Sequence, residues 1–351
     1  MLIKVTDFHN FLHLCQEKKF DGYKKVFIPA ESSVRKEEIS IELLHENSKI
    51  VLDRFRAQDP FKTLFYRFRE SVSGGNFSDD KYIVAGIKAC DFHAIELLDK
   101  ALINEDFYDP AYKYWRENTL LITCDCNEIK NSCHCSLVNG KPYVDKGYDI
   151  NLIPIDDHYI IQIGSVKGQS LADNIDSSLL SDESDSEVEL KISAQRNKIT
   201  DQLKSQNNTY NRPENFNKLL TSVGNGWDPE SASCIGCGAC TNICPTCYCL
   251  ILNDESTKNY FLKERSYDSC QLNGYARVAG GASPRPKMTE RFRNRYLCKF
   301  CYMHSNFEIL GCTGCGRCID ACPAQIDFRE VVSKINNESI DHLDKTEKQH
   351  V

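Results

Sequence analysis

No run of about 18 apolar residues occurs in the 351-residue chain, so no membrane-spanning helix is expected. The opening MLIKVTDFHNFLHL lacks a basic region followed by an apolar stretch, so it does not read as a secretory signal. Basic residues are in the minority. The 43 Lys and Arg face 50 Asp and Glu, and the net charge of −7 argues against a broad nucleic-acid surface. There is no G-x-G-x-x-G and no P-loop, hence no nucleotide site with a recognised signature. No Ser–His–Asp order stands out. From 136 to 233 there is not one cysteine.

That gap is conspicuous because cysteine is otherwise abundant, at 19 residues. A small secreted protein of that density would read as a disulfide scaffold, but this chain is neither small nor marked for secretion. In a reducing cytoplasm, the compartment expected here, cysteines at short fixed spacings are more often metal ligands. Six cysteines precede residue 136 and thirteen fall between 234 and 322, which suggests two domains of different character. The length agrees, at roughly 100–200 residues per domain.

The expected fold class is α+β: an N-terminal α/β domain, then a C-terminal domain of the α-helical ferredoxin type. In the first, VTDFHNFLHLCQEK has a helical apolar pattern with Phe8, Phe11, Leu12 and Cys15 on one side. YKKVFIPA, KYIVAGIKA and NTLLITCDC read as buried strands, and CDFHAIELLDKAL as the helix after the second of them, half of a βαβ unit. GYDINLIPIDDHYIIQIGS reads as two strands around an Asp156-Asp157 turn. Asp173 to Glu189 carries seven acids and no base; it reads as a solvated linker, with an acidic docking site for a basic partner as the alternative. A polar helix over 188–206 follows. The expected boundaries are 1–170 for the α/β domain, 171–225 for the acidic linker and helix, 226–335 for a two-cluster domain and 336–351 for a polar tail.

Cys234-Ile-Gly-Cys237-Gly-Ala-Cys240-Thr-Asn-Ile-Cys244-Pro245 is a C-x2-C-x2-C-x3-C-P run, and Cys312-Thr-Gly-Cys315-Gly-Arg-Cys318-Ile-Asp-Ala-Cys322-Pro323 repeats it. This run binds [4Fe–4S] clusters in two-cluster ferredoxins, where the fourth cysteine ligates the other cube. The expected sets are Cys234, Cys237, Cys240 and Cys322 for cluster one, and Cys312, Cys315, Cys318 and Cys244 for cluster two. Zinc is the alternative, but zinc sites usually pair two C-x2-C units or use histidine. The motifs begin 78 residues apart, and SPRPKMTERFRNRYLCKF between them reads as a helix with Ser283 as N-cap, Pro284 in its first turn and Met288, Phe292, Tyr296 and Phe300 on one stripe. Residues 285–299 hold six basic residues and one acid. These form either a solvated face or a counter-charge to clusters or an acidic partner.

AGIKACDFHAIELLD (85–99), CDCNEIKNSCHCSLVNGKPYVDKGYDINL (124–152), IGSVKGQSL, CIGCGACTNICPTCYC (234–249), YDSC (267–270) and the arginine-rich segment resemble the sulfhydrogenase beta subunit, and equally the iron–sulfur electron-transfer subunit of anaerobic sulfite reductase. The resemblance implies an electron-transfer subunit, not catalytic by itself. It would stand between a flavoprotein that binds FAD and NAD(P)H and a catalytic subunit. The expected catalytic subunit is a sirohaem sulfite reductase, with a nickel–iron hydrogenase as the alternative. Cys90, Cys126, Cys133 and Cys135, or else Cys247, Cys249 and Cys270, are candidates for a third iron–sulfur cluster or other metal site. Buried free thiols are the other reading. Cys298 and Cys301 depart from the family pattern, which implies His and a non-cysteine there; they are either incidental or the source of a missing ligand. A reading of another class is a stand-alone oxidoreductase with a pocket around Cys90, Asp91 and His93.

Overall fold

The computed structural model describes residues 1–32, 38–72, 77, 80–181, 184–210, 219, 226–256 and 258–336. Its largest element is an eight-stranded sheet. In chain order the strands are β1 (Leu2–Lys4), β2 (Tyr23–Glu31), β3 (Ile39–Leu43), β4 (Arg69–Ser71), β5 (Lys81–Ile87), β6 (Thr119–Cys124), β7 (Ile150–Ile155), β8 (His158–Ile163), β9 (Leu180–Ser181), β10 (Leu250–Ser256) and β11 (Phe261–Tyr267). The sheet runs β3-β2-β5-β6-β7-β8-β1-β9. Pairing from β2 through β5 and β6 to β7 is parallel, and the edges are antiparallel. The central strands β5 and β6 are almost wholly buried, which accounts for their unbroken apolar runs.

The helix Val5–Lys18 lays Phe8, Phe11, Leu12 and Cys15 on the sheet, the stripe expected from its spacing. The helix Ala89–Leu102 follows β5, and the chain returns through Pro110–Glu117 into β6. The β7–β8 hairpin turns at Asp156, whose φ of 51° is one of the left-handed conformations that aspartate tolerates.

Three expectations need correction. The acidic stretch is not all loop: Leu180 packs against the sheet core, and Leu180–Ser181 pair with β1. The helix that continues from it is longer than expected, Asp185–Gln206, and buries Ile199 and Leu203 against the segment holding Cys126, Cys133 and Cys135. The helix near the second motif starts at Met288, with Lys287 as N-cap and Glu290 closing the cap, rather than at Ser283. Pro286 is the reason. It disfavours helical backbone at Arg285, so a helix cannot run through 283–286. Phe292, Tyr296 and Phe300 then bury as a stripe with Trp227 and Phe328, and a helix over 328–336 follows the second motif.

A three-stranded sheet, β10-β11-β4, was not foreseen. Its hairpin lies between the two motifs, while β4 comes from the N-terminal half. The expected tail from 337 onward lies outside the described residues. No helix among the described residues is long and apolar enough to cross a membrane.

Candidate metal centre

Each C-x2-C-x2-C run is a loop entered by two left-handed glycines and left on one helical turn. The φ values are 66° and 75° at Gly236 and Gly238, and 67° and 72° at Gly314 and Gly316. The turns are Ala239–Asn242 and Arg317–Asp320. The second loop also needs glycine for space. A Cβ on Gly314 would lie 2.3 Å from Cys135 Cα, and one on Gly316 would lie 2.3 Å from the Ser132 carbonyl oxygen.

Cys234, Cys237 and Cys240 surround one cavity, and Cys322 joins them from the second motif. Cys318 reaches the same wall. Cys244 of the first motif lies near Cys312 and Cys318 of the second as well as near Cys240 of its own. Burial pushes the Cys318 thiol up to about 12 against the pull of Arg295, and neighbouring thiolates add to the rise. So many buried thiols resist ionising together unless a cationic core joins them, and metal binding releases their protons.

Three basic side chains turn inward here. Arg295 is buried beside both motifs; burial alone would lower it, but Cys240 and Cys318 outweigh that and hold it well above its ordinary value. Its Nε finds no hydrogen-bond acceptor among the described residues. Burial likewise opposes the charge on Lys299, and Cys244, Cys247 and Cys298 raise it. Lys299 Nζ donates to Thr246 Oγ1 at 2.6 Å. Arg291 instead donates to the carbonyls of Gln271, Arg285 and Pro286. Of the six basic residues in 285–299, Arg291, Arg295 and Lys299 therefore form an i, i+4, i+8 row turned inward, with Arg295 and Lys299 facing sulfur. Buried cations that pair with no carboxylate among the described residues, left-handed glycine cradles and convergent thiols fit anionic iron–sulfur cubes.

The second loop is fastened to the N-terminal half. Arg317 is fully buried and grips Asp91 with two bonds, of 2.9 and 2.7 Å, and also donates to the Ala57, Gln58 and Asp59 carbonyls. Arg56 donates to the Cys315 carbonyl and pairs with Asp320 at 2.7 Å. His134 N–H donates to Gly314 O at 2.8 Å, and its Nε2 lies 3.8 Å from Cys312 Sγ. Burial lowers the His134 imidazole to about 4, so it is neutral at pH 7.

The other candidate cysteines fall into two groups. Cys90, Cys126, Cys133 and Cys135 line one apolar cavity beside Cys315. Cys247, Cys249 and Cys270 line another, and Cys298 stands with them. Cys301 does not; it is buried with Tyr296, Phe300 and Phe328. Among the described residues no three His, Cys, Asp or Glu side chains close tightly enough for a single metal ion. Around Cys90, an open cleft also takes in His93, but Asp91 is not available there as a base because Arg317 occupies both its oxygens. His93 pairs with Glu96 at 2.7 Å.

A 4Fe-4S dicluster domain matches residues 233–326. The sulfhydrogenase 2 subunit beta of Pyrococcus furiosus is 32% identical over 260 residues, covering 73% of this chain and 75% of the relative. The chain belongs to the sulfhydrogenase beta subunit family. No solved structure matches it. As a sulfhydrogenase-beta-type chain it is an iron–sulfur electron-transfer subunit, and the matched domain spans all eight motif cysteines together with Cys247, Cys249, Cys270 and Cys298.

Proposed function

We propose that the chain carries single electrons through two cubanes, one held by Cys234, Cys237, Cys240 and Cys322, the other by Cys312, Cys315, Cys318 and Cys244. What supports this reading is the placement of the two fourth cysteines: Cys322 lines the first motif's cavity, and Cys244 lies near Cys312 and Cys318. Bound cubes supply low-potential one-electron storage, tuned by charge and by hydrogen bonds to sulfur. The chain supplies Arg295 and Lys299 as fixed positive charge that favours the reduced, more negative state. It also supplies buried walls that keep water from the second loop.

Electrons enter from a flavin- and NAD(P)H-binding subunit and leave to a catalytic subunit. The sulfhydrogenase relative supports a nickel–iron hydrogenase in that catalytic role. The resemblance to the electron-transfer subunit of anaerobic sulfite reductase supports a sirohaem enzyme as the second reading. Anaerobic purification of the intact complex, with identification of the bound subunits, tests both. A flavoprotein with a hydrogenase or a sirohaem subunit is the expected catch. A chain isolated alone that turns over a substrate without partners overturns the carrier reading.

A further inference from the structure

The two motifs use eight of the 19 cysteines. The other eleven are not scattered. Three are packing residues: Cys15 and Cys124 belong to the core under the large sheet, and Cys301 to the aromatic core behind the second motif. The remaining eight divide into two sets of four, each around its own cavity.

The first set is assembled from distant parts of the chain. Cys247 and Cys249 follow directly on the first motif, Cys270 follows β11, and Cys298 comes from the helix that carries the inward basic row. That helix widens into a π-helical turn over Cys298–Tyr302, an irregularity that frequently marks functional sites. The carbonyl of Cys247 is held by the buried Lys62 at 2.6 Å, and that of Cys249 accepts from Asp268 N–H at 3.0 Å. Arg295, with its unpartnered Nε, lines this cavity as well as the first motif's.

An independent observation carries the second set. Cys90 sits in the first turn of the helix Ala89–Leu102, Cys126 just past β6, and Cys133 and Cys135 further along the connection from β6 to β7. The helix Asp185–Gln206 and the residue after it clamp that loop: Gln206 and Asn207 side chains donate to the Cys133 carbonyl at 2.6 and 3.0 Å. Arg56, only 2% exposed, lines the same cavity, and its Nη1 finds no hydrogen-bond acceptor among the described residues. A buried guanidinium with an idle donor beside four thiols is a site built for an anion that those thiols help to form.

We propose that the chain holds two further [4Fe–4S] clusters beyond the pair of the dicluster motif, one on Cys247, Cys249, Cys270 and Cys298 and one on Cys90, Cys126, Cys133 and Cys135. Cluster two is then the hub. Its ligand Cys315 lines the cavity of the Cys90 set, its ligand Cys318 lines that of cluster one, and its ligand Cys244 stands within hydrogen-bond reach of Cys247. The second loop is thus the crossing point of a four-centre relay. Among these centres, the first motif is exposed at Cys237 and the Cys298 set opens beside the half-exposed Phe107.

The inference rests on the iron–sulfur reading above, and counting iron separates the two. Anaerobically purified full-length chain is expected to hold about 16 iron and about 16 acid-labile sulfide per chain, four per cube. Cys298→Ala and Cys133→Ala should each lower this to about 12, while Cys301→Ala and Cys124→Ala leave it at about 16. Wild-type protein with about 8 iron overturns this inference and spares the two-motif reading. Iron-free protein overturns both. A value of about 12 retains only the set whose alanine variant loses iron. Because a ligand variant can fail to fold, the wild type provides a second readout. After full dithionite reduction its EPR signal should integrate to about four spins per chain, against about two for a dicluster protein.

Discussion

The two ferredoxin-type loops share a spacing and a backbone but not an environment. The first is at the surface: Ile235 is 70% exposed and Cys237 is open to solvent. The second is interior, with Cys315 and Arg317 buried and both glycines pressed on the Ser132–Cys135 segment. One residue expresses the contrast. The position after the second glycine is Ala239 in the first loop and Arg317 in the second, and Arg317 reaches the N-terminal half through Asp91. A surface loop can exchange electrons with another protein; a buried one can exchange them only with its neighbours inside the chain.

The sharpest way to break this contrast is Arg317→Ala. It strands the buried Asp91 carboxylate, and losing one partner of such a pair typically costs about 3–5 kcal/mol. Anaerobic urea unfolding should show a matching drop, and a loss below about 1 kcal/mol would mean that the fastening lies elsewhere. Next comes a matched pair, Gly316→Ala and Gly238→Ala. Both place alanine in left-handed backbone at roughly 1–2 kcal/mol. Only Gly316 faces a backbone carbonyl at 2.3 Å; Gly238 faces the Ser269 hydroxyl at 3.1 Å, a contact that a shift of a few tenths of an ångström relieves. The thermal midpoint of G316A should therefore fall clearly below that of G238A, and equal midpoints would erase the distinction. The smallest effect on stability is expected from Ile235→Asp, within about 0.5 kcal/mol of wild type. If the first loop is a docking face, this variant keeps its iron yet is recovered with less of its partner subunits in anaerobic co-purification.

Much of this was legible in local pattern. The helix Val5–Lys18 and the runs that became β2, β5, β6, β7 and β8 declare themselves through periodicity or unbroken apolar stretches. The eight motif cysteines declare themselves through spacing. What stayed hidden was pairing over long separations. Nothing near Asp91 announces Arg317, 226 residues away. Nothing beside Cys298 decides between an incidental thiol and a missing ligand, because its companions in the cavity lie in two other segments, Cys247–Cys249 and Cys270. The β10–β11 hairpin escaped notice because LILNDES is exposed on both faces, while FLKERSY half-buries Glu264 and buries Arg265 where apolar residues would mark a half-buried strand.

The short strand β4 has a consequence for biosynthesis. It completes a sheet whose other members emerge much later; Arg69 and its partner Glu264 are 195 residues apart. At the 5–20 residues per second of translation, β4 waits about 10 to 40 s for that hairpin to be made. Over the same interval the Asp91 carboxylate has no Arg317, and the thiols of the first loop have no Cys322. On the proposed ligand sets, cluster one cannot be fully ligated until Cys322 has been made, nor cluster two until Cys318, so complete cluster assembly waits for the second motif.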